Sequence, residues 1–334
     1  MPPHDARARD VGCVAIGRNE GERLVRCLRS LAGRVAHVVY VDSASTDGSA
    51  ARARELGADV VELDLSIPFT AARARNEGFA RLREIAPELR YVQFVDGDCE
   101  VVEGWLETAR ARLEQDRSLA VVCGRRRERF KDASVWNRII DVEWDTPVGE
   151  ASACGGDAMM RASAFVEVGG FDGSLIAGEE PELCVRLRRA GHRIERLDAE
   201  MTLHDAAMTH VSQWWKRSVR AGHAFAEGAA LHGASEQRHW VRETRRIFFW
   251  GAVVPGVAIG AAVPTLGASL ALLAAYPVSA SRIYRSTRAR GRSRADAAAY
   301  AVSVPVGRFA ELQGALKYHL GRVRGRRSGL IEYK

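Results

Sequence analysis

The sequence predicts an α/β fold, a Rossmann-like, mostly parallel sheet flanked by helices, and two observations lead there. Four short apolar runs alternate with amphipathic helical segments within the first hundred residues. The first, second and fourth runs each end in charged or hydrogen-bonding residues. Right-handed crossovers bring the carboxyl ends of parallel strands to one sheet edge, where open α/β sheets bind ligands. Those polar residues are therefore expected to form one site.

Val11 to Ile16 reads as a buried strand. The helix over Glu22 to Leu31 follows, with Leu24, Leu28 and Leu31 at helical spacing and Gly33 as its stop. Ala36 to Val41 is the second strand. Ser45-Thr46-Asp47 opens a helix that Gly57 closes, Val60 to Leu63 forms a third strand, and Phe69 to Ile85 a third helix. Tyr91 to Val95 completes the alternation. Further on, a helix opens at Glu179 and carries Leu183, Leu187 and Ala190. His192 to Leu197 is a strand, and Val211 to Leu231 an amphipathic helix.

After the first strand come Arg18, Asn19 and Glu20, after the second Asp42 and Ser43, and after the fourth Asp96-Gly97-Asp98. A lone Asp-Gly-Asp is commonly a solvated turn. At a sheet edge, however, two ionised carboxylates are costly to desolvate unpaired, and a divalent cation satisfies both. No Gly-x-Gly-x-x-Gly and no Gly-x-x-x-x-Gly-Lys-Ser/Thr occurs, so a nucleotide held through its diphosphate by a metal fits better than one cradled by a glycine loop.

Four segments in this order resemble glycosyltransferase family 2, with the GT-A nucleotide-diphospho-sugar fold. They are Ala15-Ile16-Gly17-Arg18-Asn19-Glu20, Val41-Asp42-Ser43-Ala44-Ser45-Thr46-Asp47-Gly48-Ser49, Ala74-Arg75-Asn76-Glu77-Gly78 and Asp96-Gly97-Asp98. Gly169-Gly170-Phe171-Asp172 and Gly178-Glu179-Glu180-Pro181-Glu182 look like the family's acceptor-side loop and Glu-Asp helix. The resemblance covers roughly residues 11 to 230.

By resemblance, the donor-binding positions are Ile16, Asn19, Glu20, Asp42, Ser43, Arg75, Asn76, Asp96 and Gly97. Asp42 is expected on the base or ribose, Arg75 on a phosphate. Ser43 stands where the family often has a second Asp, which leaves the base open. Asp98, assisted by Asp96, is expected to hold Mg²⁺ or Mn²⁺, with His204 as a late metal ligand and His210 as its competitor. Glu180, where the family usually has Asp, is the expected catalytic base, with Glu179 beside it. Gly155, Gly156 and Asp157 are expected on the acceptor side as a glycine loop. Trp214 and Trp215 join them there, in a segment that loosely resembles the Gln-x-x-Arg-Trp motif of processive synthases.

The net charge is +7, carried almost wholly by arginine, with lysine only at 131, 216, 317 and 334. That balance favours anionic partners, namely nucleotide sugars, lipid phosphates or a membrane surface. No nucleic-acid motif stands out. The six cysteines form no CxxC pair and read as small core residues of a reducing compartment. Residues 1–10 are expected to be disordered and carry no signal-peptide core.

Ile247 to Ser281 contains no charged residue and has arginine clusters on both flanks. Both ends thus favour the cytoplasm, and a hairpin turning near Pro264 is expected, spanning, re-entering or packed. Ala297 to Val306 is too short to span. The expected organisation is a catalytic domain over 11–235 and a helical, membrane-associated hairpin with a basic tail over 236–334. The expected function is an inverting, metal-dependent glycosyltransferase at the cytoplasmic face of the inner membrane. It would join a sugar from a nucleotide-diphospho-sugar to a glycan or lipid-linked acceptor in cell-surface polysaccharide or glycoconjugate synthesis. A polyprenyl-phosphate sugar transferase and a degenerate GT-A scaffold that binds without turnover are the alternatives.

Overall fold

The computed structural model describes residues 10–64 and 66–325, so most of the N-terminal stretch expected to be disordered and the end of the basic tail lie outside the described residues. Asp10 itself is fixed, its carboxylate accepting from Arg110 Nε at 2.8 Å. The chain forms two compact units. One comprises the chain to Arg129 with Trp144–Ala206, the other Phe130–Glu143 with the chain from Ala207 onward.

In the first unit, β1 (Val11–Gly17), α1 (Glu22–Leu31), β2 (His37–Asp42), α2 (Ser49–Glu55), β3 (Asp59–Glu62), α3 (Ala71–Ile85) and β4 (Tyr91–Asp96) follow the expected alternation. β5 (Cys99–Val101), α4 (Trp105–Gln115), β6 (Leu119–Glu128), β7 (Gly149–Glu150), β8 (Ala158–Arg161), α6 (Ala162–Glu167), α7 (Glu179–Arg189) and β9 (Arg193–His204) complete it. The sheet order is β3-β2-β1-β4-β8-β6-β9-β5, with β7 on β9. β1 to β4 pair in parallel, whereas β8 runs antiparallel between β4 and β6. The α2 helix opens at Ser49 and not at Ser45, because Ser45 and Thr46 are engaged with Asn19 across the β1 and β2 loops. His204 ends β9 and does not follow a shorter strand, since β9 extends in register along β6.

Gly78 sets how closely α3 lies on the sheet. A Cβ there would come within 2.5 Å of Val14 Cγ1 and 2.7 Å of Val41 Cγ2, so a larger residue would force the helix away. Phe79, Phe94, Phe165 and Phe171 interlock at centroid separations of 4.6 to 6.5 Å, fixing the 169–172 loop beside α3 and β4.

The second unit is helical: α5 (Val135–Glu143), α8 (Val211–His232), α9 (Val241–Phe248), α10 (Val254–Gly260), α11 (Ala275–Ala289) and α12 (Arg294–Val323). The α8 helix, placed by sequence with the catalytic domain, belongs here because it packs backbone to backbone on α12. A Cβ on Gly222 would lie 1.9 Å from Glu311 O, and one on Gly314 1.9 Å from Val219 O. The α12 helix runs 30 residues through Pro305, where the sequence suggested only a short segment. The apolar stretch folds as a helical hairpin turning over residues 261–267, which include Pro264. Among the described residues no helix is long and apolar enough to cross a membrane.

Candidate functional site

The ends of β1, β2 and β4 converge as the sheet-edge rule requires. Gly97 N donates to Ile16 O at 2.7 Å, and a Cβ on Gly97 would lie 3.1 Å from that oxygen, so the Asp-Gly-Asp turn lies directly on the β1 end. Asn19 is left-handed at φ 56°. Its N–H donates to Ser45 Oγ at 2.9 Å and its Oδ1 accepts from Thr46 N at 2.7 Å, joining the first two loops. Asp42 is buried beside Ser43 and accepts from Ser45 N at 2.8 Å and Tyr40 OH at 3.1 Å. Glu20 pairs with Arg23 at 2.9 Å.

Arg75 projects from α3 and bridges two carboxylates. Its Nη2 donates to Asp96 Oδ1 and its Nη1 to Glu179 Oε1, each at 2.7 Å. Burial disfavours the charged guanidinium, yet Asp96 and Glu179 outweigh it and hold its pKa above the ordinary value. Arg75, expected on a phosphate, here ties the start of α7 to the end of β4. Asp157, expected on the acceptor side, is fully buried. It accepts from Asp96 N at 3.0 Å and Thr202 Oγ1 at 2.7 Å and pairs with Arg126 at 2.8 Å, and so supports the Asp-Gly-Asp turn. Gly156 leaves room for this cluster, because a Cβ would meet Arg75 Nη2 at 2.8 Å and Asp96 Oδ2 at 3.1 Å. Gly155, at φ 85°, makes the preceding turn. Asn76 does not reach the edge, since its amide clasps the backbone of Phe171 at 2.7 and 2.9 Å.

Asp98 turns away from Asp96. Its Oδ2 lies 3.3 Å from His204 Nε2, and His204 Nδ1 lies 3.4 Å from Glu128 Oε2, which also accepts from Ala206 N at 3.1 Å. Glu128 and His204 are register partners on β6 and β9, and Trp144 packs edge-on against the imidazole at 4.7 Å. Neighbouring ligands of an octahedral ion at about 2.1 Å are about 3.0 Å apart, so the Asp98 and His204 atoms suit one divalent cation. Cys99 Sγ falls in the same group. Asp96, expected to assist Asp98, falls instead in a second group with Cys99 and Asp157, and its oxygens face Arg75 and Arg126.

Glu180 is buried at the first turn of α7. Its Oε1 accepts from the Cys154 backbone N–H and from Cys184 Sγ at 3.1 Å, while among the described residues none donates to Oε2. Cys154 and Cys184 lie with their sulfurs 3.7 Å apart, and all six cysteines are buried.

Trp214 and Trp215 belong to the second unit, where Trp214 stacks on Trp136 at 5.2 Å and Trp215 Nε1 donates to Gln313 Oε1 at 2.9 Å. His210 caps α8 in a reciprocal box with Gln213. Sequence reasoning missed Arg126, Glu128 and Thr202, which sit in runs that read as solvated strand ends; only their alternation along β6 and β9 hints at an inward face.

Residues 14–167 match the family profile described as Glycosyl transferase family 2. The chain is 29% identical over 247 residues to the pre-mycofactocin glycosyltransferase of Mycobacterium tuberculosis, covering 69% of this chain and 50% of the relative. It thus spans half the length of that curated relative. Among solved structures, it resembles the mannosyltransferase PcManGT from Pyrobaculum calidifontis in complex with GDP-Man and Mn²⁺, with a TM-score of 0.59 at 18% identity over 96% of this chain and 89% of that one. It also resembles S. aureus TarS, with a TM-score of 0.51 at 14% identity over 91% and 55%. At these identities the structural likeness concerns the fold.

Proposed function

We propose that this chain, whose residues 14–167 match the profile of glycosyl transferase family 2, is an inverting, metal-dependent glycosyltransferase that moves a sugar from a nucleotide-diphospho-sugar to an acceptor hydroxyl. The observation that carries the reading is the meeting of Asp98 and His204 at 3.3 Å on the sheet edge that also presents Asp42 and the Arg75 bridge.

Asp98 and His204 would hold Mg²⁺ or Mn²⁺, and the chemistry supplied there is stabilisation of charge on the departing diphosphate. Asp42 accepts from a base or ribose donor group. The Arg75 bridge sets the start of α7 against the Asp-Gly-Asp turn. Glu180, with Oε1 held by Cys154 and Cys184, keeps Oε2 to take the proton from the acceptor hydroxyl. The acceptor's oxygen then attacks the anomeric carbon opposite the leaving nucleotide, and the configuration inverts. We place the enzyme at the cytoplasmic face of a membrane, in cell-surface polysaccharide or glycoconjugate synthesis.

The test is a panel of nucleotide sugars with Mn²⁺, read first as thermal stabilisation and then as transfer to glycan, polyprenyl-phosphate and pre-mycofactocin acceptors, the last named for the relative. Stabilisation by no nucleotide sugar would remove the reading.

A further inference from the structure

We infer that the hairpin of the second unit is a monotopic anchor, inserting its turn into one leaflet of an anionic bilayer with both ends on the same side. The membrane location proposed above leaves the form of attachment open, and this inference specifies it.

Exposure is the first observation. Ile259, Val263 and Leu266, at and beside the turn, are 66, 87 and 98% exposed, and Val257, Leu270 and Leu272 continue the apolar surface along both arms. A contiguous patch of this kind on a monomer marks an interaction surface.

The turn is also built for surroundings without water. Ala261 N donates to Val257 O, Ala262 N to Ile259 O, Thr265 N to Ala261 O, Leu266 N to Val263 O, Gly267 N to Ala262 O and Ala268 N to Thr265 O. Pro264 has no N–H to satisfy. The polar side chains turn inward too: Thr265 Oγ1 donates to Ala261 O at 2.6 Å, and Ser269 Oγ to Ala258 O at 2.7 Å. Of the backbone N–H groups from 261 to 268 only that of Val263 has no partner among the described residues, so insertion into hydrocarbon leaves little of the turn's backbone unsatisfied.

Length decides between spanning and dipping. The uncharged arms, Ile247 to Gly260 and Ala268 to Ser281, each reach about 20 Å at helical rise. That passes the interface and the roughly 15 Å of one leaflet's hydrocarbon, but not the roughly 30 Å core.

Charge identifies the surface. Arg242, Arg245 and Arg246 precede the first arm, and Arg282, Arg285 and Arg288 follow the second, all exposed. Because a hairpin returns to its start, both clusters sit at its base, where anionic headgroups lie when the turn is buried. A second copy of this chain would bring the same positive clusters together, which disfavours self-association as the cover.

The test uses the full chain with no donor or acceptor, so its failure is separate from failure of the transferase reading. Vesicles of phosphatidylcholine with phosphatidylglycerol should capture the protein and retain it through a high-salt wash. A polarity-sensitive dye on Val263→Cys should shift to the blue and resist aqueous quenchers on either side. Val263→Glu with Leu266→Glu should lose the salt-resistant fraction. Arg245→Glu with Arg246→Glu should reduce capture without abolishing the dye shift. Complete release by salt, a dye reached by quencher trapped inside the vesicles, or a concentration-dependent dimer broken by the Val263→Glu pair would overturn the inference.

Discussion

Asp98 Oδ2 faces His204 Nε2 at 3.3 Å, while Asp96, two residues earlier, faces Arg75 at 2.7 Å. The two carboxylates of one Asp-Gly-Asp turn therefore serve different partners. Asp96 ends β4 above the buried Asp157 and Arg126, and Asp98 leads into β5, which pairs Cys99 with His204. The intervening Gly97 allows the reversal by lying against Ile16 O.

This division predicts two different mutant phenotypes. Asp98→Ala should abolish transfer and Mn²⁺ binding with little change in thermal midpoint, because it removes a proposed metal ligand. Asp96→Ala should lower stability by about 1–3 kcal/mol, since the buried Arg75 and the partly buried Arg126 lose part of their compensation. Calorimetric Mn²⁺ titration beside thermal unfolding checks both. Equal loss of Mn²⁺ binding in the two variants without destabilisation would contradict the division.

Glu128 predicts a subtler effect. Its carboxylate lies beside His204 Nδ1, which leaves Nε2 as the ring nitrogen facing Asp98. Partners of this kind fix ligand orientation and are worth about 10–100-fold in metal affinity. Glu128→Gln should therefore weaken Mn²⁺ binding within that range and leave metal-free donor binding unchanged. A Mn²⁺ affinity equal to that of the native chain would confine Glu128 to packing.

How much of this was legible follows from the range of each interaction. From β1 to β4 the observed elements match the sequence expectations within a few residues, because periods of 2 and 3.6 record which face is buried. The same local signal brought Asp42, Asp96 and Asp98 to one edge. It could not show that β8 enters antiparallel between β4 and β6, or that Asp157 thereby supports Asp96 from below. Glu128 follows Arg125, Arg126 and Arg127, a charged run that reads as solvent-facing until β9 is paired with it. Gly222 and Gly314 look like helix breakers in isolation, yet they are what lets α8 and α12 touch. The α12 helix likewise continues through Pro305, well beyond the short Ala297 to Val306 segment.

Glu180→Gln tests the proposed proton acceptor. The amide preserves shape and can still accept from Cys154 N–H and Cys184 Sγ, so the fold and donor affinity should hold while kcat falls by about 10² to 10⁴. With a polyprenyl-phosphate acceptor, already anionic, the fall should be far smaller. Donor binding lost at unchanged kcat would make Glu180 structural.

The last prediction concerns pH and the second unit. Burial pushes the Glu311 carboxyl up to about 7 from an ordinary 4.5, although Arg308 lies 2.5 Å away; Glu143 adds repulsion and Arg217 partly offsets it. Between pH 4.5 and about 7 the folded chain holds a proton that the unfolded chain has released. This group's contribution is thus fully present below pH 4.5 and is lost as pH rises through 7, by on the order of 3 kcal/mol. His223 acts with the opposite sign, since burial pushes it down to about 4 and stability is lost as pH falls from 6.5. The difference between the native chain and Glu311→Gln isolates Glu311. The variant, which carries no titrating carboxyl, should gain on the native chain in urea midpoint as pH rises from 5 to 8. A difference between them that does not change over that range would show that Glu311 titrates near its ordinary value.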